Sequence, residues 1–327
     1  MHRSSLSQRG APRRAQRGIA LLTAIFVVAL ATIAAVAMVS DAAIAIHRAA
    51  NLQDSEQEEW YALGVEAWVC QLLAEAAQLQ QSDHPDGLGD TWAQPMTLPV
   101  DHGVVSGRLE DLQGRFNLNN LASKNPQPYL DQFTRLLEDI PGVDPYAAAD
   151  LGPAIRDWID QDNERTGSGG AEDDYYLSLD VPYRTANQLM KSPSELHAVR
   201  GMTPALYTAL LPYVATLPET DTAINVNTAP LPVLQSLTSQ PSGALAEFAQ
   251  TRVKTPIDKQ GDIGSSGLFP TTGQQRQVPL DVKTSYFQLQ ASISIGDGHL
   301  LMLSTIKRNG GTGQNPVQVL RHSFGAE

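Results

Sequence analysis

The chain has 327 residues, of which 42% are hydrophobic and 18% are charged, and its formal net charge at pH 7 is −12. At about 150 residues per domain, this length allows two folded units or one elaborated unit. The single cysteine, Cys70, excludes an intrachain disulfide, and the composition excludes a collagenous or low-complexity chain.

Charge is distributed unevenly along the chain. Residues 1–18 hold five arginines and no acidic residue, whereas the rest of the chain holds all 35 acidic residues. An acidic body argues against a nucleic-acid-binding protein, which needs a basic surface. The basic start is typical of a membrane-topology signal.

A long apolar segment follows the arginines. Residues 19–40 contain no charged side chain, and a helix of this length, about 33 Å, can span a bilayer. The positive-inside rule predicts a cytoplasmic N-terminus and places the acidic remainder in a periplasm-like space. A cleaved secretory signal, cut near Ala37, and an ordinary single-span anchor are the alternatives.

The helical pattern continues beyond the apolar segment to about Gln81. Good helix formers dominate, and Gly64 is the one glycine in the stretch. The larger apolar residues recur at three- to four-residue spacing: Ile44, Leu52, Trp60, Leu63, Val65, Trp68, Leu72 and Leu79. We expect one helix of about 60 residues whose second half packs this stripe, with Cys70, against a soluble domain.

The N-terminal features resemble those of type IV prepilins and pseudopilins. A basic leader ends in Gly18, an apolar run begins at Ile19, and one continuous helix follows. The resemblance implies that a prepilin peptidase cleaves after Gly18 and that the new Ile19 amine is methylated. The family usually has glutamate five residues past the cut, where this sequence has Thr23.

The missing glutamate is typical of the K-type minor pseudopilins of the type II secretion system (the general secretion pathway protein K family). Members are unusually large because a helical domain is inserted in the pseudopilin fold. The segments 111–119 (DLQGRFNLN) and 224–229 (INVNTA) also resemble motifs of that family. In the family, the glutamate is taken to pair with the N-terminal amine of a neighbouring subunit, so a subunit without it suits the fibre tip.

This resemblance implies a structural role in protein export rather than catalysis. The expected protein is a single-pass inner-membrane protein with a periplasmic head. It would cap the pseudopilus, start its assembly and limit its length. Its expected partners are the I-type and J-type minor pseudopilins, the major pseudopilin and the prepilin peptidase, with no nucleic acid.

The predicted fold class is α+β, with a long N-terminal helix packed on an antiparallel sheet and a large inserted α-helical domain. Residues 286–295 alternate in polarity, a glycine-rich turn follows, and residues 299–307 and 317–324 supply two further strands. The predicted ranges are 1–18 for the leader, 19–82 for the long helix, 83–125 for the first part of the β-head, 126–240 for the helical insertion, and 241–327 for a loop and the C-terminal strands.

One loop carries a dense group of acidic residues. Six acids lie between positions 160 and 174, with Arg165 as the only cation. Ca²⁺ binds six to eight oxygen ligands from such loops, and the spacing here does not match an EF-hand. A solvated acidic loop is the alternative. The K-type family is thought to bind calcium at a similar loop. The resemblance therefore implies one or two structural ions bound by Asp160, Asp162, Glu172, Asp173 and Asp174.

Enzyme signatures are weak. The seven histidines are scattered, and the sequence has no GxxxxGK[ST], HExxH or CxxC motif. We therefore predict that the protein is not an enzyme. The alternative is a membrane-anchored periplasmic calcium-dependent binding module or hydrolase that stays outside any fibre.

Overall fold

The computed structural model describes residues 14–80, 84–238, 242–270, 278–309 and 316–325. The chain divides into two compact units, one ending at Gln57 and one beginning at Glu58. Most of the predicted leader lies outside the described residues.

The first element is helix α1, Arg14–Gln80, which contributes to both units. Its stretch Ile19–Ala77 is long and apolar enough, by length and composition, to cross a membrane. Large apolar side chains in the first unit are exposed; Ile19, for example, has 65% of its surface accessible. This is the pattern expected of a helix whose surroundings are apolar rather than aqueous.

The β-structure belongs to the second unit and consists of one large sheet and two short strand pairs. In chain order the described strands are β1 Met96–Val100, β2 Gly103–Asp111, β3 Phe116–Asn117, β4 Val214–Ala215, β5 Ile224–Asn225, β6 Leu280–Asp281, β7 Tyr286–Ile295, β8 Gly298–Arg308 and β9 Val317–Phe324. The large sheet is antiparallel with the order β1-β2-β7-β8-β9. The short pairs, β3–β4 and β5–β6, are parallel. The predicted C-terminal strands are confirmed.

The other α-helices of the described residues lie between β3 and β6. They are α2 Gln127–Asp139, α3 Pro145–Ala148, α4 Leu151–Ile159, α5 Asp173–Tyr176, α6 Pro204–Leu210, α7 Leu231–Ser236, α8 Ser242–Thr251 and α9 Asp262–Ser265. A 3₁₀ helix at Pro193–Ala198 begins with a capping box formed by Ser192 and Glu195. The helices share a hydrophobic cluster that runs from Phe116 to Val282, past both ends of the predicted insertion at 126–240.

The second half of α1 packs on the large sheet, as predicted, through a stripe that shares Val65 with the predicted one. Small or medium side chains, Ala62, Val65, Val69 and Leu73, are buried against strand residues such as Leu289. The α+β prediction is therefore confirmed in its main contact.

The predicted stripe is wrong at its two tryptophans. Trp60 is 74% exposed, and Trp68 is 45% exposed at a cavity that it lines together with Met96 and Gly107 of the sheet. Their spacing matches a helical period, but the period alone does not tell which of two apolar faces is buried. Cys70 is half-buried beside the sheet core. The side chain of Leu79 is not among those that the structure describes.

Candidate metal centre

Helix α4 leads the chain into the acidic loop. Its residues Leu151, Ile155 and Ile159 are buried in the helical cluster and fix its orientation. The helix ends at Ile159, and the next residue, Asp160, has an extended backbone (φ −76°, ψ 174°) while its N–H still donates to the Arg156 carbonyl at 2.9 Å. The end of α4 therefore fixes the backbone position from which the Asp160 side chain extends.

The loop returns to α4 through two buried glycines. A Cβ on Gly170 would lie 2.2 Å from Asp157 Oδ2, and one on Gly169 would lie 2.9 Å from Asp150 Cα. Such distances exclude any side chain, so both glycines are required by close packing rather than by flexibility. The return places Glu172, directly after Ala171, next to the end of α4.

Asp157 holds this return in place. Its side chain is fully buried, and its two oxygens accept hydrogen bonds from the Thr166 N–H at 3.0 and 3.2 Å. The sequence pattern did not single out Asp157, because an acidic residue in an amphipathic helix is usually part of the solvent-exposed face. Its position three residues before Asp160, one helical turn away, was the available signal.

Three of the five predicted ligands come together. Oxygen atoms of Asp160, Asp162 and Glu172 all lie within 4.8 Å of one another. The Glu172 residue is 3% exposed, and all four carboxylate oxygens of Asp160 and Glu172 are buried without a hydrogen bond from the described residues. Asp162 is exposed and accepts one bond from the Glu164 N–H at 2.8 Å.

The other two predicted ligands are directed elsewhere. Asp173 accepts from the N–H and hydroxyl of Thr185 at 3.1 and 3.0 Å and pairs with Arg184 at 3.1 Å. Asp174 pairs with Arg165. These carboxylates already have donors, so they are less available to a cation in this arrangement.

The trio is strongly coupled electrostatically. Burial, with a smaller contribution from the charges of Asp157, Asp160 and Asp162, raises the pKa of Glu172 to about 7. Burial and the Asp162 charge raise the pKa of Asp160 to about 6. Arg156 opposes this shift, but its Nε is 3.5 Å from Asp160 Oδ2 and also donates to Thr166.

The donor set suits a hard cation. Buried carboxylates without donors are costly unless a positive charge neutralises them. The trio offers only oxygen atoms, which are preferred by Ca²⁺ and Mg²⁺, and lacks the histidine or thiolate ligands typical of zinc. The three carboxylates would supply part of the six to eight oxygen ligands that Ca²⁺ requires, and carbonyl or water oxygens would supply the others. The residues present therefore fit calcium.

Aromatic residues tie the loop to the cluster. Trp158 packs edge-on against Tyr176 with 5.3 Å between the ring centroids, and the rings of Tyr176 and Tyr183 have a centroid distance of 5.1 Å. Arg200 donates to the Gly170 carbonyl at 3.0 Å, and its N–H donates to the Tyr176 hydroxyl at 3.1 Å. These contacts connect the loop that carries the acidic trio to the hydrophobic cluster of the helices.

The residues predicted for processing and assembly lie at the start of α1. Gly18 has a helical backbone and Ile19 is exposed. Thr23 donates its hydroxyl to the Ala20 carbonyl at 2.9 Å, so its polar atom is used within the helix. The processing role of these residues stays a prediction.

Comparisons with known proteins agree with one another. A family model described as "Type II secretion system (T2SS), protein K" matches residues 114–219, which include the acidic loop. Type II secretion system protein K of Aeromonas hydrophila is 34% identical, covering 96% of this chain and 99% of its own. The protein of the same name from Pseudomonas aeruginosa is 36% identical, covering 90% of both chains.

A solved structure is also similar over most of the chain. It is the crystal structure of the GspK–GspI–GspJ complex from the enterotoxigenic Escherichia coli type 2 secretion system. The matching chain has a TM-score of 0.75 and 27% sequence identity, covering 86% of this chain and 100% of that chain.

Proposed function

Since this chain belongs to the type II secretion system protein K family, we propose that it is a structural minor pseudopilin that assembles with I-type and J-type partners. The observation that carries the proposal is the match to a chain crystallised in a GspK–GspI–GspJ complex, which this chain covers completely. Its role is assembly, and we assign no catalytic residue.

We place the chain at the tip of the pseudopilus. A charged side chain within lipid needs a partner, and a glutamate at position 23 would have one in the amine of a neighbouring subunit. Thr23 has no charge and donates its hydroxyl within its own helix. The chain can therefore start a fibre and limit its length, with the major pseudopilin below it.

The N-terminal part supports a membrane-anchored precursor. Residues 19–40 would cross the inner membrane with the arginines in the cytoplasm and the head in the periplasm. Prepilin peptidase would cut after Gly18, and the Ile19 amine would be methylated.

The acidic trio is proposed to hold a structural calcium ion. Asp160, Asp162 and Glu172 would supply the carboxylate oxygens, and Asp157 would fix the loop that presents Glu172. The ion would neutralise the buried charges and join the end of α4 to the start of α5, so its effect is on stability.

Co-expression of the full chain with prepilin peptidase and the I-type and J-type pseudopilins tests this function. We expect co-purification of all three pseudopilins and a mature chain that begins with methylated Ile19 by mass spectrometry. Removing the gene should abolish secretion, and Thr23→Glu, unlike Thr23→Val, should allow the chain to be detected along the fibre shaft. A purified chain that retains residues 1–18, or that leaves both partners behind, would contradict the proposal.

A further inference from the structure

A cleft lies between the large sheet and the helical part of the second unit. Its volume is about 500 Å³, which is within the range of ligand pockets. One wall is the sheet, where Gln288, Thr305 and Arg321 lie side by side on β7, β8 and β9. The opposite wall is formed by residues of the segments 188–193 and 216–218. Helix α1 packs on the other face of the sheet, so the cleft is separate from the long helix.

Asparagine side chains hold the helical wall of the cleft in place. The buried Asn119 side chain bonds both main-chain groups of Met190 and donates to the Leu217 carbonyl at 2.7 Å. Leu217 in turn donates its N–H to the Asn117 side chain at 3.0 Å. A site whose walls are fixed before a ligand arrives loses less conformational entropy on binding. The cleft is therefore preorganised.

The charged residues that line the cleft are both cations. Lys191 is exposed and Arg321 is half-buried, and among the described residues no acidic side chain lines the cleft. Six of the other lining residues are apolar: Leu112, Leu189, Met190, Pro193, Pro218 and Leu320. In a chain whose net charge is −12, this cleft is complementary to a carboxylate with apolar groups beside it.

Strand β9, at the rim of the cleft, is an edge strand. It ends the order of the large sheet and pairs with β8 on one side. The other side of such a strand presents backbone N–H and C=O groups to which an extended segment can add. A side chain directly opposite Arg321 on an added strand would have its Cβ within about 5.5 Å of the Arg321 Cβ. Because β9 itself has no acidic residue, a second copy of β9 would supply no carboxylate.

We propose that the cleft and the edge of β9 bind an extended segment of a partner protein that carries a carboxylate side chain. The segment adds to β9 as a further strand. Its carboxylate contacts Lys191 and Arg321, and the apolar side chains two residues away on either side enter the cleft. Binding does not require the I-type and J-type partners, so it can be measured on the chain alone.

Fluorescence polarisation of labelled short peptides with the purified full chain in detergent tests the site. The probe alternates threonine with larger residues, namely leucine, glutamate and leucine, and its matched controls carry glutamine or lysine in place of the glutamate. We expect the glutamate peptide to bind about tenfold more tightly than the glutamine peptide. Lys191→Glu should reverse the preference in favour of the lysine peptide.

Lys124→Glu is the matched control variant. It makes the same change of charge at an exposed position outside the cleft, so the preference for the glutamate peptide should stay unchanged. Both variants should keep the melting temperature of the unchanged chain, because both lysines are exposed.

Backbone N-methylation of the peptide separates strand addition from charge attraction alone. Methylating the residues whose N–H groups face β9 should abolish binding, whereas methylating the intervening residues should preserve it. Binding that neither set of methyl groups affects would overturn strand addition. Equal binding of the three unmethylated peptides, or no binding at millimolar concentration, would overturn the site.

Two further outcomes would overturn the assigned occupant. Complete displacement of the peptide by equimolar hexanoate would assign the cleft to a small carboxylate. Self-association of the chain that Lys191→Glu abolishes, without peptide binding, would assign it to a second copy. Recovery of the I-type and J-type partners with the Lys191→Glu variant reports separately on the assembly function, which stands if this site fails.

Discussion

Asn119 and Asn227 hold two distant loops by the same pair of hydrogen bonds. The Asn119 side chain accepts from the Met190 N–H and donates to the Met190 carbonyl, both at 2.9 Å. Asn227 does the same with Ile257, again with both distances at 2.9 Å. Each asparagine therefore acts like one residue of a β-ladder, pairing with both main-chain groups of a single residue.

The surroundings of the two asparagines are also alike. Asn117 accepts from the Asn119 N–H at 3.1 Å, and Asn225 accepts from the Asn227 N–H at 3.0 Å. Asn117 ends β3 and Asn225 ends β5, each in a short parallel pair. The two segments that resemble family motifs are thus the same structural device used twice in the helical cluster.

Replacing Asn119 or Asn227, here called the clamp asparagines, should destabilise the head. Asn119→Ala leaves the buried N–H and carbonyl of Met190 without this partner, at a cost of about 2–4 kcal/mol in the free energy of unfolding. Asn227→Ala should cost less, because the N–H and carbonyl of Ile257 are only partly buried. Denaturant unfolding of the full chain in detergent measures this. Asn163→Ala, at an exposed loop position, should change it by less than about 0.5 kcal/mol. Equal stability of Asn119→Ala and Asn163→Ala would show that the clamp has no energetic role.

Local patterns predicted the strands and the long helix because their evidence is contained in the segment itself. The alternation of residues 286–295 matches β7 residue for residue. The buried side of α1 was harder to predict, because apolar side chains occur on more than one face of the helix and contacts with the sheet decide which face is buried. That choice depends on residues such as Leu289, more than 200 positions away in the sequence.

In the acidic loop, too, the sequence predicted the location of the site but not which side chains face it. Its acid density predicted the site, but Glu172, Asp173 and Asp174 are equivalent in sequence and different in structure. Only Glu172 joins Asp160, because Asp173 is bound by Thr185 and Arg184. Which of three adjacent acids faces a cation is decided by partners that sequence spacing does not reveal.

Removing calcium should lower the melting temperature of the chain. An ion present at 100 times its dissociation constant stabilises the native state by about 2.7 kcal/mol, equivalent to about 5–10 °C for a domain of this size. Differential scanning fluorimetry with calcium or with a chelator gives the difference. Magnesium in place of calcium should restore little of it, since Mg²⁺ dehydrates reluctantly.

Variants separate the ligands from their neighbours. Asp160→Asn with Glu172→Gln should abolish the calcium-dependent difference in melting temperature. Asp174→Asn is the matched control, because this exposed carboxylate pairs with Arg165 outside the trio, and it should preserve most of the difference. If the chelator leaves the melting temperature of the wild-type chain unchanged, calcium does not bind here.

Adding one methyl group at Gly170 should disrupt the site. Gly170→Ala places a Cβ 2.2 Å from Asp157 Oδ2, so the loop must move and Glu172 must move with it. We expect a loss of about 2 kcal/mol or more in the free energy of unfolding, together with weaker calcium binding by isothermal titration calorimetry. Gly243→Ala, where the added Cβ meets nothing within 4 Å, is the control and should retain calcium binding. Unchanged binding in both variants would contradict the role of the loop.

The stability of the metal-free chain should fall as the pH rises towards neutrality. Burial raises the pKa of Asp160 from 3.8 to about 6 and that of Glu172 from 4.5 to about 7. Between these limits the native state binds more protons than the unfolded state, so the free energy of unfolding decreases with pH. Melting temperatures in chelator should therefore decrease from pH 5 to pH 7.5, and less so in the Asp160→Asn, Glu172→Gln variant. Calcium should oppose the decrease, because it replaces the protons that the trio releases. Equal slopes in the chelator-treated wild-type chain and the variant would contradict a coupled buried trio.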